Sequence, residues 1–121
     1  MRYMLLVYGN EKAMTDAERQ QCYVDSARLT QDLHAKGQYV AAAPLQSVSK
    51  AISVRVREGK SLVTDGPFAE TREQLGGFYI IEAKDLDEAI AVAARIPPAT
   101  KGTIEIRPVL EIPGLPEASQ R

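Results

Sequence analysis

Two short segments of this chain are apolar on both faces, and this most restricts how it can fold. In the first segment, Arg2 to Tyr8, both alternating sets of side chains are apolar. The second segment, Gly77 to Ala83, is also apolar on both sides. A strand that is apolar on both faces needs a cover on each of them. The fold must therefore bury both faces of its central strands.

Helix start and stop signals predict two helices. Thr15-Asp16-Ala17-Glu18 forms a capping box that opens a helix over residues 16–36. Asp85-Leu86-Asp87-Glu88 opens a second helix, which Pro97-Pro98 ends. Residues at helical spacing predict one buried stripe on each helix. These stripes are Cys22, Tyr23, Ser26, Ala27, Leu29, Thr30 and Leu33 on the first helix, and Leu86, Ala89, Ile90 and Ala93 on the second.

The remaining segments predict further strands. Residues 38–43 and 103–110 are strand-like, and residues 51–57 and 61–64 form a hairpin whose Ile52, Val54 and Val56 point inward. The order is that of an α+β, ferredoxin-like fold, β-α-β-(hairpin)-β-α-β. Two helices can cover only one face of such a sheet. A second copy in a homodimer is the simplest cover for the other face.

Bulk composition excludes several classes of protein. With 121 residues the chain is one domain, predicted over residues 1–110 with an extended tail over 111–121. A net charge of −1 provides no basic surface for nucleic acid or anionic lipid. The apolar runs are too short to span a membrane, and no signal peptide is evident. A single cysteine, Cys22, fits the cytoplasm.

The densest run of turn-forming and ionisable residues is the turn-rich stretch, Thr64 to Ile81. Asp65-Gly66-Pro67 predicts a rigid turn, because proline fixes φ and aspartate bonds its own backbone. Gly76-Gly77 predicts a flexible pair just before the next strand. Such a stretch is typical of a ligand-facing loop and equally of an ordinary connection.

The ionisable residues of this stretch are the candidates for chemistry. Asp65 and Glu70 are the candidate catalytic pair, since partial burial would raise their pKa values and suit general acid or base work; the alternative is a turn cap and a solvated glutamate. Candidate ligand-binding residues are Tyr8, Pro67, Phe68, Arg72, Glu73, Tyr79 and Arg107. Arg107 could bind an anion or pair with Glu105. No metal or cofactor motif is evident, so neither is expected.

The segment from Asp65 to Phe78, DGPFAETREQLGGF, closely resembles the signature of the DGPF-type proteins of the YCII-related family. The resemblance extends to the opening Met1 to Gly9 and to the closing Glu105-Ile106-Arg107-Pro108-Val109. It implies a small bacterial protein with a ferredoxin-like unit that pairs into a dimeric α+β barrel. It also implies a role for an aspartate in this region. The histidine that some relatives pair with this aspartate has no counterpart after the first strand.

These observations lead to two functional hypotheses. The first is a homodimeric module that binds a small organic ligand or acts as an accessory protein, because relatives encoded beside alternative sigma factors imply a sensing or regulatory role. The alternative is a cofactor-independent enzyme of lyase or hydrolase type. It would use Asp65 as general acid or base on a small organic substrate, aromatic ones included.

Overall fold

The computed structural model describes residues 1–116, so residues 117–121 of the predicted tail lie outside the described part of the chain. Within residues 1–116 the chain forms six strands and two α-helices. Three short 3₁₀ turns lie between them. The elements are β1 (Arg2–Gly9), α1 (Asp16–Ala35), β2 (Tyr39–Pro44), β3 (Ile52–Arg57), β4 (Lys60–Asp65), β5 (Gln74–Glu82), α2 (Leu86–Ala93) and β6 (Thr103–Pro108).

Four strands form the main sheet in the order β2-β5-β1-β6, with all neighbours antiparallel. Strands β3 and β4 pair only with each other, as a separate two-stranded hairpin. This arrangement matches the predicted ferredoxin-like α+β fold, with the hairpin inserted between β2 and β5. The predicted helix starts are also confirmed: Thr15 and Glu18 form a reciprocal capping box, and Asp85 caps α2.

Both helices pack on the same face of the sheet. In β1, Tyr3, Leu5 and Val7 are buried, whereas the side chains between them remain partly exposed. The buried set packs with residues from both helices into one core. The other members of this core are Leu29, Leu33, Tyr79, Ile81, Ala83, Ala89, Val92, Ala93 and Ile96. The opposite side of the sheet, called here the uncovered face, carries Met4, Leu6, Tyr8, Phe78 and Ile80.

The structure corrects the predicted start of the strand at the Gly76-Gly77 pair. Strand β5 begins at Gln74 and not at Gly77, so both glycines lie inside the strand. A Cβ on Gly77 would come within 2.9 Å of the carbonyl oxygen of Ala43 on β2. Glycine is needed at position 77 because β5 and β2 approach too closely there for a side chain.

Two apolar stripes predicted from the sequence are not buried as predicted. Ile52, Val54 and Val56 of the hairpin are 60–64% exposed, because nothing else in residues 1–116 packs on the hairpin as a sheet partner. On α2 the buried residues are Ala89, Val92 and Ala93, with Ile96 just beyond the helix. This set has the i, i+3, i+4, i+7 spacing of a helix face. Leu86 and Ile90 lie about half exposed beside it.

Candidate ligand-binding cleft

Small residues line both walls between α1 and the sheet, and they leave a cleft of ≈ 350 Å³. On the helix side the small residues are Cys22, Ser26, Ala27 and Thr30. On the sheet side they are Ala42, Ala43, Gly76 and Gly77. Side chains of this size do not reach across the gap, so the space between helix and sheet stays open. The larger side chains around it include Tyr23, Tyr39, Tyr79 and Ile96.

Only the second half of α1 packs tightly on the sheet. Leu29 and Leu33 are buried, but Tyr23 and Ala27 of the predicted stripe are exposed, so the stripe is confirmed only in part. The first half of the helix is held at its N-terminal end by polar contacts. Lys101 Nζ lies 2.7 Å from Glu18 Oε2. The cleft lies between this ionic contact and the packed leucines.

Two titratable side chains of the cleft, Tyr79 and Cys22, have raised pKa values that favour their uncharged forms. Burial raises the pKa of the Tyr79 phenol, and the neighbouring Ser26 hydroxyl offsets part of this effect. Burial also raises the pKa of the Cys22 thiol, with a smaller contribution from the charges of Asp25 and Glu18. Both groups are therefore neutral at neutral pH. They provide hydrogen-bonding atoms without charge.

Of the sequence-predicted site residues, Tyr79 alone lines this cleft. Asp65 ends β4 at the surface, and Glu70 lies on the exposed loop that follows. Neither carboxylate hydrogen-bonds or ion-pairs with any side chain in residues 1–116. Pro67, Phe68 and Arg72 are exposed on the same loop. The structure therefore places Asp65 and Glu70 apart from the cleft, and their catalytic role stays a prediction.

Two hydrogen bonds fix the turn that begins the loop, and both involve Gly66. Gly66 has a φ of +94°, a conformation that favours glycine. Its N–H donates to the carbonyl of Ala51 over 2.7 Å, and its own carbonyl accepts from the Ser53 hydroxyl over 2.9 Å. These bonds attach the start of the loop to the hairpin rather than to the main sheet.

Three predicted residues lie at or beside the uncovered face. Tyr8 pairs in register with Thr103, whose hydroxyl donates to Glu73 Oε1 over 2.8 Å. The Tyr8 hydroxyl donates to Glu105 Oε1 over 3.5 Å. Arg107 is exposed farther along β6 and forms no ion pair with Glu105 or any other residue of the described chain. The carboxylates of Glu73 and Glu105 near Tyr8 disfavour the binding of an anion there.

Other chemistry-bearing residues do not form a site. His34 is exposed, with its ring edge-on to Tyr39 at a centroid separation of 6.2 Å. Within residues 1–116 no group of three His, Cys, Asp or Glu side chains could hold a metal ion. No helix in that part of the chain is long and apolar enough to cross a membrane.

A family model for the YCII-related domain matches residues 1–113. The chain belongs to the YCII-related family. Uncharacterized protein R00369 of Rhizobium meliloti (strain 1021) is 37% identical over 118 residues, which cover 90% of this chain and 92% of that protein. Membership confirms the resemblance to the YCII-related family, and assignment to its DGPF-type proteins stays a prediction. The functional argument for this YCII-related protein therefore rests on the cleft.

The cleft includes residues that the sequence reasoning did not select. Ser26 and Thr30 appeared there only as members of a packed stripe, and the alanines Ala42 and Ala43 only as strand residues. The signal that could have found them is their size. A helix stripe of small residues facing a run of alanine and glycine predicts missing volume between the layers. In this YCII-related protein that missing volume is the cleft.

Proposed function

We propose that this protein is a small-molecule-binding module that works as a homodimer, with its ligand in the cleft between α1 and the sheet. The observation that supports binding is the cleft itself. Its ≈ 350 Å³ falls within the ~300–1,000 Å³ typical of ligand sites. Its walls are mostly apolar with a few hydroxyl groups, the usual composition of a site that binds organic molecules.

Binding fits this geometry better than catalysis. The Tyr79 phenol has a raised pKa, so at neutral pH it donates or accepts a hydrogen bond and does not act as a base. No carboxylate lines the cleft among residues 1–116. A neutral binding site suits the sensing or regulatory role that the family resemblance implies. The free cysteine, Cys22, suits the reducing cytoplasm.

The uncovered face supports the proposed homodimer. Its centre is apolar, with Met4 and Leu6 on β1 beside Phe78 and Ile80 on β5. The two helices pack on the opposite face and leave this centre partly exposed. A second copy would cover it with an identical surface, as two-fold dimers do. Tyr8 and its partner Glu105 lie at this face, so the same pairing would also bring them to the rim of the interface.

Thermal unfolding with a library of small organic compounds tests the proposed site. Ala42 lines the cleft, and Ala42→Leu fills part of it with three additional carbon atoms. We expect compounds that stabilise the wild type to have no effect on this variant. Because filling an empty cleft buries apolar surface, the unliganded variant should melt at the same or a higher temperature.

The control is Ala91→Leu, the same change at an exposed position on α2. It should keep the wild-type response to every compound. A compound whose effect persists in Ala42→Leu at full strength binds elsewhere and contradicts the proposed site. A library that stabilises neither protein would contradict the proposal that the protein binds small molecules in this cleft.

A further inference from the structure

The absence of charge in the cleft limits the ligands it can accept. No Asp, Glu, Lys, Arg or His side chain is among the residues of the described chain that line it. A carboxylate or ammonium group entering the cleft would lose its water without gaining a charged partner. A neutral molecule avoids this cost. The walls therefore select against ions.

The size of the cleft and the chemistry of its walls favour an aromatic ligand. Three of the five tyrosines of the chain, Tyr23, Tyr39 and Tyr79, line the cleft. Aromatic rings pack well against one another in stacked and edge-on arrangements. The volume equals that of about a dozen water molecules at ~30 Å³ each, which accommodates one or two fused rings.

One pair of hydroxyl groups is placed to orient such a ligand. The Tyr79 phenol lies beside the Ser26 hydroxyl in the wall of the cleft. Five of the residues that line the cleft carry a hydroxyl group: Tyr23, Ser26, Thr30, Tyr39 and Tyr79. That of Thr30 donates to the carbonyl of Ala27 on its own helix over 2.7 Å. Tyr79 is the most deeply buried of the three tyrosines, at 6% exposed, and it lies beside Ser26, so these two hydroxyls form the pair that can exchange their mutual contact for a hydrogen bond to a ligand.

We infer that the cleft binds a neutral, flat aromatic molecule through one hydroxyl or carbonyl group, which hydrogen-bonds to Tyr79 and Ser26. This inference rests on the proposed function, because it names the ligand class of the same cleft. Burial raises the pKa values of the Tyr79 phenol and the Cys22 thiol and so keeps both groups uncharged, in agreement with a site that binds a neutral ligand.

Isothermal titration of the full chain at neutral pH with three matched probes tests this inference. The probes are 2-naphthol, which is neutral with a hydroxyl, 2-naphthoate, which is anionic, and naphthalene, which has no polar group. We expect 2-naphthol to bind at least about tenfold more tightly than 2-naphthoate. Tyr79→Phe and Ser26→Ala should each weaken 2-naphthol by about two- to tenfold, the loss of one hydrogen bond, and leave naphthalene unchanged.

The outcomes separate this inference from the proposed function. If 2-naphthoate binds as tightly as 2-naphthol and Ala42→Leu abolishes both, the neutral-ligand inference is overturned and the binding function stands. If Ala42→Leu leaves 2-naphthol binding unchanged, both are overturned. If Tyr79→Phe weakens naphthalene as much as 2-naphthol, Tyr79 only shapes the cleft and its hydrogen-bonding role is overturned. If no probe binds, the inference is overturned, and the compound library alone decides the function.

Discussion

The adjacent glycines of β5 offer a direct test of the structure, because alanine should be tolerated at one and not at the other. A Cβ at Gly77 would lie 2.9 Å from the Ala43 carbonyl oxygen and 3.2 Å from the Pro44 Cα, both backbone atoms of β2. Backbone cannot rotate away as a flexible side chain can, so the strands must separate. At Gly76 the nearest atom is the Val7 carbonyl oxygen at 3.9 Å, an ordinary contact.

Overpacking of this kind costs about 1–3 kcal/mol, so Gly77→Ala should lower the free energy of unfolding by that amount. For a chain of this length the corresponding fall in Tm is roughly 5–15 °C. Gly76→Ala should be neutral or stabilising by up to ~1 kcal/mol, because alanine restricts the unfolded chain more than glycine does. Urea unfolding followed by circular dichroism measures both. Equal effects, or greater damage from Gly76→Ala, would refute the pairing of β5 with β2 described here.

Three further predictions concern other parts of the molecule. Ile81 is 0% exposed, so Ile81→Asp should unfold the chain. Ile80 lies on the uncovered face, so Ile80→Asp should keep the helical circular dichroism and give a monomer by light scattering. A dimer of the Ile80→Asp variant would contradict the proposed interface. Lys101, together with the backbone N–H and the hydroxyl of Thr15, holds the pKa of Glu18 at about 2, below its ordinary 4.5. The stability from these contacts is therefore present above about pH 4.5 and is lost as pH falls toward 2, and Lys101→Met should reduce that acid dependence to the part that Thr15 contributes, in urea titrations at stepped pH. Asp65→Asn should change stability by less than ~0.5 kcal/mol and leave ligand binding intact, since Asp65 is exposed; lost binding would favour the loop as the site.

The fold could be predicted from the sequence because local signals agreed with one another. The capping box at Thr15, the cap at Asp85 and the two-sided apolar strands each pointed to an element that the structure contains. Their order then left the ferredoxin-like arrangement as the simplest solution. The family signature agreed independently. Element order and family membership were thus within reach of the sequence.

The placement of side chains relative to the other layers of the fold could not be predicted from the sequence. Ile52, Val54 and Val56 alternate as a half-buried strand should, but alternation tells which residues share a face and not whether anything covers it. The same limit applies to α2. The hydrophobicity of Leu86 and Ile90 predicts burial, but in the structure both are about half exposed and the alanines beside them are buried. For Gly77, the sequence showed the need for glycine but not its cause, which depends on the distance to β2.

The two ends of the turn-rich stretch lie in different parts of the structure. Its first part, from Asp65 to Arg72, lies exposed and is attached to the hairpin through Gly66. Its last part, from Gly76 to Tyr79, pairs with β2 and lines the cleft. Gly77 lets β2 approach closely and also lines the cleft, so this one residue serves both the packing of the sheet and the proposed binding site. Within this stretch Gly76, Gly77 and Tyr79 line the cleft, whereas Asp65 lies apart from it at the surface. The residues that support the proposed site are therefore those of β5 and not the carboxylates of the loop.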